Sequence, residues 1–171
     1  FAFTGNTIPR YFLENSRGAF VAYGEVAPWV RTSVTLIDAA GNVNGHGLWG
    51  PRMRDYLREA VQLADPFVDF GDYDNDGPDG VPNSGDDDGV VDAVNIEFAE
   101  PAGSCPGGAG IWPHFSVLDE ETNDLRPDGT PIVVGPYFAE STTECDGVSI
   151  QSPGTVAHEF GHRLGLPDYY R

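Results

Sequence analysis

The chain has 171 residues and a formal net charge of −18, because 27 acidic residues face only nine basic ones, all of them arginine. This length and an apolar fraction of 40% indicate one globular domain and argue against a disordered chain. The negative charge disfavours nucleic acid and anionic membranes as partners, since both would be repelled. No apolar run approaches the roughly 20 residues that a membrane-spanning helix needs, so we expect no membrane insertion.

The N-terminal part of the chain is expected to begin with short elements separated by proline and glycine. We predict a helix at residues 9–15, strands at 19–26 and 30–37, a glycine-rich loop at 41–50 and a helix at 51–64. The last helix is predicted because Met53, Leu57 and Val61 recur at helical spacing. Pro51 suits its first turn, where a missing N–H costs little, and Pro66 is expected to end it.

The C-terminal part is expected to carry the sheet and one further helix. We predict an acidic loop at residues 69–92, strands at 90–98, 111–118 and 131–138, and a helix at about 153–164. The helix is expected to have Ser152 as its cap, Pro153 in its first position and Gly165 as its stop. Because strands and helices are intermixed, the pattern indicates one domain of the α+β or α/β class.

The predicted last helix carries His158-Glu159-Phe160-Gly161-His162, which has the residue types of a zinc site. Residues four apart lie on one helical face, so His158 and His162 can present two imidazole nitrogens to one ion. Glu159 is rotated by about 100° from His158, beside such an ion, where a general base for a metal-activated water must stand. Beyond the stop at Gly165, Asp168 can return to the same ion with a carboxylate oxygen as third ligand.

The segment HEFGHRLGLPD resembles the His-Glu-x-x-His-x-x-Gly-x-x-Asp signature of the immune inhibitor A family of secreted bacterial metallopeptidases. It is also similar to the signature of snapalysin-type proteases, and to the metzincin pattern with aspartate in place of the third histidine. Three further segments resemble family segments, namely YFLENSRGAFVAYGEVAPWV, REAVQLADPFVDFGDYDNDG and IWPHFS. The resemblance therefore covers nearly the whole chain.

The resemblance implies an α+β, zincin-like catalytic domain with a twisted mixed β-sheet and an active-site helix. It implies His158, His162 and Asp168 as ligands of a catalytic Zn²⁺, with Glu159 as catalytic base. Family domains extend further at both ends, so we expect residues 1–171 to form a partial catalytic domain. The family's methionine-containing turn is one expected missing part, since the only methionine here is Met53.

Nine aspartates fall within the 24 residues of the acidic loop, without any basic residue. Oxygen ligands at every second position, with glycines for tight turns, suit a structural Ca²⁺ ion. The spacing is not that of an EF-hand, and a ligand-free solvated loop is the alternative. Residues 74–77 and 88–92 resemble the two halves of a shorter acidic run in the family. The expected calcium ligands are Asp72, Asp74, Asp76, Asp86, Asp88 and Asp92.

Two cysteines and two further histidines complete the candidate residues. Cys105 and Cys145 suit one disulfide in an exported protein, with two separate buried thiols as the alternative. His114 is expected either to line a strand or to lie at the rim of an active site. His46, between glycines, is expected to be a loop residue without a ligand role.

These features predict a secreted, monomeric zinc endopeptidase that acts on polypeptides. One alternative is a secreted calcium-binding or adhesion module in which the zinc site is vestigial. Another is a gluzincin-type peptidase whose third ligand is a glutamate beyond residue 171.

Overall fold

The structure is a computed structural model of the chain, and it describes residues 7–45 and 52–168. The described residues form four α-helices and three β-strands, which makes the class α+β. The helices are α1 (Ile8–Asn15), α2 (Leu36–Ala40), α3 (Met53–Ala64) and α4 (Gly154–Arg163). The strands are β1 (Val94–Phe98), β2 (His114–Leu125) and β3 (Pro131–Ser141). Within these residues, no helix is long and apolar enough to cross a membrane.

The strands of the described residues form one mixed sheet in the order β1-β3-β2. Strand β1 runs parallel to β3, and β2 runs antiparallel to it. The register of β2 shifts between Val117 and Glu120, where Asp119 has a positive φ of 66°. This irregularity is typical of a β-bulge, which bends a strand and increases its twist.

Helix α3 covers one face of the sheet because its apolar residues fall on one side. Met53, Leu57 and Val61 are buried in the main core together with Phe98 of β1 and Val134 of β3. The helix ends at Ala64, followed by a 3₁₀ turn over Asp65–Phe67. The prediction of this helix and of its stop near Pro66 is therefore confirmed.

Helix α4 packs on the opposite face of the sheet, against β3 and α1. Neighbouring residues of β3 point to opposite faces. Tyr137 and Ala139 accordingly belong to the main core, whereas Phe138 contacts Phe160 of α4 with ring centroids 5.7 Å apart. Glu140, two residues after Phe138, lies on the same face of β3 and is fully buried.

The strands predicted at residues 19–26 and 30–37 are wrong, because residues 20–32 form neither a helix nor a strand. Val26 is 96% exposed, so its β propensity is not matched by burial. The second predicted strand is interrupted by α2, whose N-cap Thr35 accepts a hydrogen bond from the amide of Asp38. A threonine cap was the signal for a helix start here.

Other predicted elements are confirmed with shifted ends. Helix α1 begins at Ile8, and Thr7 caps it through the amide of Arg10. Strands β2 and β3 are longer than predicted. The cap assigned to Ser152 is wrong, because Pro153 is the N-cap of α4 and no side chain caps it. Pro51 and His46 lie outside the described residues.

The leucines of α3 offer a matched test of the core. Leu57 is 1% exposed and Leu63 is 38% exposed in the same helix. We expect Leu57→Ala to lower the free energy of unfolding by about 2–5 kcal/mol, because it leaves a cavity in the core. Leu63→Ala changes the helix propensity by the same amount as Leu57→Ala, and we expect it to lower the free energy of unfolding much less. Urea unfolding of both variants checks this, and equal losses would contradict the assigned packing.

Candidate metal centre and active site

Helix α4 presents its two histidines to the outside of the fold because its opposite side is anchored. Phe160 is rotated by about 200° from His158 and packs among aromatic rings. The ring centroids of Phe12, Phe20 and Phe138 lie 5.0, 6.1 and 5.7 Å from that of Phe160. The helix is therefore held to α1 and β3 through a residue that takes no part in the site chemistry.

The chain reverses direction directly after α4, as the glycine in the sequence predicted. Gly165 has a positive φ of 83°, and its amide donates to the carbonyl of His162. The amide of Leu166 donates to the carbonyl of Gly161, which completes a Schellman motif. This turn brings the carboxylate of Asp168 back over the last two turns of the helix.

The side chains of His158, His162 and Asp168 converge on one point. The Nε2 atoms of His158 and His162 lie 3.2 and 3.4 Å from Oδ1 of Asp168. Ligand atoms of a tetrahedral zinc site, each about 2.0–2.2 Å from the ion, are separated from one another by roughly 3.3 Å. The two histidine–aspartate separations are thus close to those between ligands of one zinc ion, and ring nitrogens of the two histidines lie within 4.8 Å of each other.

A hydrogen bond fixes the orientation of the His162 ring. Its Nδ1 lies 2.8 Å from the carbonyl oxygen of Leu166, which can only accept a hydrogen bond. Nδ1 therefore carries a proton, and Nε2 is the ring nitrogen that faces Asp168. A carbonyl partner of this kind orients a metal-binding imidazole and raises its basicity.

Glu159 differs from its neighbours in being buried, with 5% of its surface exposed. Burial is the main cause that raises its pKa above the usual value, and the charge of Asp168 adds to the rise. His158, His162 and the backbone amide of Phe115 act in the opposite direction. One carboxylate oxygen of Glu159 lies within 4.8 Å of a ring nitrogen of each histidine. The geometry suits a base beside a metal site.

Two clefts flank the histidine pair. One, of about 300 Å³, is lined by Ser104, Trp112, Pro113, Gly154, Thr155, His158 and Glu159. The other, of about 480 Å³, lies between α1 and α4 and reaches Leu166 and Pro167. Both His158 and the two residues that precede β2, Trp112 and Pro113, therefore border space that can admit a ligand.

His114, at the start of β2, fixes the backbone beside the smaller cleft. Its Nδ1 lies 2.7 Å from the carbonyl oxygen of Trp112, and its Nε2 lies 3.0 Å from the hydroxyl of Tyr137. Because a carbonyl only accepts, Nδ1 donates and Nε2 accepts from the tyrosine. His114 is thus a residue of the strand that also holds Trp112, a residue of the cleft wall, in position.

The acidic loop brings Asp74, Asp76 and Asp87 together, with one carboxylate oxygen of each within 4.8 Å of the others. Asp74 is 1% exposed, and its Oδ1 is buried without a hydrogen-bond partner among the described residues. Its Oδ2 accepts from the amide of Gly89. Burial, followed by the charges of Asp87 and the neighbouring aspartates, raises the pKa of Asp74 to about 6. An orphaned buried carboxylate oxygen is typical of a site that holds a cation.

The remaining four expected calcium ligands do not join this group. Asp72 is exposed, and Asp86 accepts from the amide of Asp79. Asp88 caps its own turn by accepting from the amide of Val90. Asp92 lies at the end of the loop beside α4. Its carbonyl accepts from Nε of Arg163 at 2.5 Å, which ties the loop to the active-site helix.

The sequence did not identify two acidic residues, Asp87 and Glu140, as individual candidates. Asp87 is the middle residue of Asp86-Asp87-Asp88, and spacing alone does not reveal which of these three carboxylates is buried. Glu140 is fully buried, and both its carboxylate oxygens lack hydrogen-bond partners among the described residues. A single acidic residue within the apolar strand β3 was the available signal.

The two cysteines form a disulfide, with Cα atoms 5.4 Å apart. It joins the loop after β1, which carries Ser104, to the loop before α4. Two walls of the smaller cleft are thereby linked covalently. The alternative of two separate thiols is wrong.

Residues 4–171 match the family described as immune inhibitor A peptidase M6, catalytic domain. The chain is 29% identical over 177 residues to immune inhibitor A of Bacillus thuringiensis subsp. alesti, covering 96% of the chain and 25% of that protein. It is 30% identical over 171 residues to the pre-pro-metalloprotease PrtV of Vibrio cholerae, covering 94% of the chain and 18% of that protein. The chain thus spans a quarter or less of the length of these relatives.

The glycines of the acidic loop offer a test of its geometry. A Cβ added at Gly77 would lie 2.8 Å from Oδ1 of Asp87, which accepts from the Gly77 amide, whereas nothing lies within 4 Å at Gly85. We expect Gly77→Ala to lower the free energy of unfolding by about 1–3 kcal/mol. Gly85→Ala is the matched control, with little expected change. Thermal unfolding of both variants measures this, and a Gly77→Ala variant as stable as the control would contradict the loop structure.

Proposed function

The chain belongs to the immune inhibitor A family of M6 peptidases, and on that premise we propose that it is the catalytic domain of a zinc-dependent endopeptidase. The observation that carries the proposal is the convergence of His158, His162 and Asp168 at 3.2–3.4 Å. The family is one of peptidases and one relative is a metalloprotease, and both support the same reaction class. We propose that residues 1–171 are one catalytic unit, a part of such a domain.

We propose His158, His162 and Asp168 as the zinc ligands. Two imidazoles and one carboxylate form a donor set that zinc accepts, with a fourth position left for water or substrate. The bond from His162 to the Leu166 carbonyl supports this assignment, because it occupies Nδ1 and turns Nε2 toward the ion. When bound, zinc supplies a Lewis acid that polarises the scissile carbonyl and lowers the pKa of water toward about 7.

Glu159 is proposed as the general base. Its carboxylate lies beside the histidine pair, where it can accept a proton from the attacking water and return it to the leaving amine. Its burial raises its pKa, which makes it a better proton acceptor than a solvated glutamate. The amide of Phe115 and the two histidines favour its ionised form before the reaction begins.

We propose that a polypeptide substrate lies in the smaller cleft, alongside the start of β2. Strand β2 is an edge strand of the sheet formed by the described residues, so its outer backbone groups can pair with an extended peptide. Trp112, 45% exposed, offers an aromatic surface next to His158 and Glu159. The disulfide and the bonds of His114 hold this cleft in shape before the substrate arrives.

We propose that the acidic loop binds a structural Ca²⁺ ion through Asp74, Asp76 and Asp87. Three carboxylates around one point suit a hard cation with oxygen ligands, and Asp74 retains a buried oxygen for it. Such an ion would relieve the repulsion among these groups. The disulfide and the calcium-suited loop are the reasons to propose a secreted protein, and we propose that it acts as a monomer.

Glu159→Gln tests the peptidase assignment. In the complete protein that contains this chain, we expect the variant to lose casein hydrolysis by a factor of about 10² or more, because the base is absent. Stoichiometric zinc should remain, since Glu159 is not a ligand. Glu121→Gln, at an exposed position of β2, is the matched control. Equal hydrolysis by parent and Glu159→Gln would reject the mechanism and favour the binding-module alternative.

Asp168→Ala tests the third ligand. We expect zinc affinity, measured by competition with a chromophoric chelator, to fall by at least about tenfold. Asp55→Ala, an exposed aspartate on α3, should leave the affinity unchanged. Unaltered zinc binding in Asp168→Ala would transfer the third-ligand role to a residue outside this chain, as in a gluzincin-type site.

Calorimetric titration with Ca²⁺ tests the loop assignment. We expect Asp74→Ala to abolish the binding heat, because it removes the most buried ligand of the cluster. Asp72→Ala, at an exposed position of the same loop, should bind as the parent does. No heat in the parent, or equal losses in both variants, would contradict the proposed ligands.

A further inference from the structure

Arg163, the last residue of α4, ties the active-site helix to a distant part of the chain. Its Nε donates to the backbone carbonyl of Asp92 at 2.5 Å, and its guanidinium lies 4.0 Å from the carboxylate of the same residue. The two residues are 71 positions apart in sequence. Because Arg163 directly follows His162, any displacement of this contact also displaces the helical turn that carries a proposed zinc ligand.

Asp92 is itself bound to the acidic loop. The loop has a first arm, residues 73–76, and a second arm, residues 87–92. The amide of Asp92 donates to the carbonyl of Tyr73 at 2.7 Å, which joins the arms at one end. Farther along, Oδ2 of Asp74 accepts from the amide of Gly89 on the second arm at 3.0 Å. The carbonyl that receives Arg163 is therefore positioned by the pairing of the two arms.

The proposed calcium ligands stand on both arms. Asp74 and Asp76 lie on the first arm and Asp87 lies on the second, with one carboxylate oxygen of each within 4.8 Å of the others. Without a cation, the negative charges of these groups repel one another and push the arms apart. A divalent ion that binds all three reverses this force, and the buried Oδ1 of Asp74, which lacks a hydrogen-bond partner among the described residues, is available to it. Occupancy of the loop thus favours the paired arms that hold Asp92.

The end of α4 is packed less tightly than its middle. Phe160 lies among three aromatic rings, whereas Leu164 and Leu166 are about half exposed. Zinc binding needs this end to be ordered, because His162 and Asp168 stand on either side of the reversal that follows the helix. An anchor that orders the end of α4 beforehand reduces the loss of conformational entropy on zinc binding.

We propose that Arg163 is a positioning residue that couples the two metal sites, so that calcium in the acidic loop raises the affinity of the active-site helix for zinc. The coupling rests on the proposed function, which supplies both ions. Direct repulsion between two cations would have the opposite sign, since each ion would weaken the binding of the other. A rise in zinc affinity therefore indicates transmission through the chain. Such coupling is reciprocal, so zinc should raise the calcium affinity by the same factor.

Zinc affinity with and without calcium tests the coupling in the complete protein that contains this chain. The competitor is a zinc-selective chromophoric chelator, and the ionic strength is held constant. We expect saturating Ca²⁺ to raise the zinc affinity of the parent by at least about fivefold. Arg163→Gln removes the anchor and should abolish this increase. Arg52→Gln also removes one positive charge, at an exposed position before α3, and should retain the increase.

The ratio of the two zinc affinities is the measure, because loss of a positive charge near the site changes both of them. A parent whose zinc affinity is unchanged or lowered by calcium would overturn the coupling. An equal increase in Arg163→Gln would overturn the role of Arg163. Binding of both ions without coupling would refute this inference alone, whereas a parent that binds neither zinc nor calcium would contradict the proposed function itself.

Hydrogen exchange in the zinc-free protein tests the same link without the zinc site. We expect Ca²⁺ to slow amide exchange at the end of α4 by at least about fivefold in the parent, because the anchor suppresses local opening. In Arg163→Gln, calcium should protect the acidic loop as in the parent but leave the exchange of α4 unchanged. Equal protection of α4 in both proteins, or none in a parent whose loop is protected, would overturn the proposal.

Discussion

The convergence of Asp168 with the two histidines of α4 depends on one backbone feature, the left-handed turn at Gly165. Without this turn the chain would continue away from the end of α4, and the carboxylate of Asp168 would not reach the two imidazoles. The same turn directs the Leu166 carbonyl to Nδ1 of His162 and so selects the imidazole nitrogen that faces the site. A single glycine thus determines the position of one proposed ligand and the ring orientation of another. Phe160 anchors the other side of the helix, so the site is built on a fixed support.

The molecule is rich in acidic side chains, and the environment of each buried one determines whether it favours a cation or a proton. Asp74 and Glu140 are both buried with unpartnered oxygens, and burial raises the pKa of each. They differ in their neighbours. Asp74 has two other carboxylates within 4.8 Å, which favours a cation, whereas Glu140 belongs to no such cluster among the described residues, which favours a proton. The contact between Arg163 and the carbonyl of Asp92 joins the acidic loop to the active-site helix.

Local chemistry made parts of this structure predictable. Helix α3 followed from apolar spacing, and the end of α4 followed from its glycine, since both signals act within a few residues. The grouping of His158, His162 and Asp168 was predictable for the same reason. The irregular structure of residues 20–32 was not, because strand pairing depends on distant residues that the β-branched side chains of this segment do not specify. The inward turn of Asp87 and the burial of Glu140 likewise depend on tertiary packing.

Zinc-edge X-ray absorption spectroscopy of the zinc-loaded protein tests the central claim most directly. The account predicts a first shell of nitrogen and oxygen atoms at about 2.0–2.2 Å, with the outer-shell scattering of two imidazoles and no sulfur. In Asp168→Ala the two imidazoles should remain while the carboxylate contribution is lost. A shell with one imidazole or none, or a spectrum that Asp168→Ala leaves unchanged, would contradict the site described for His158, His162 and Asp168.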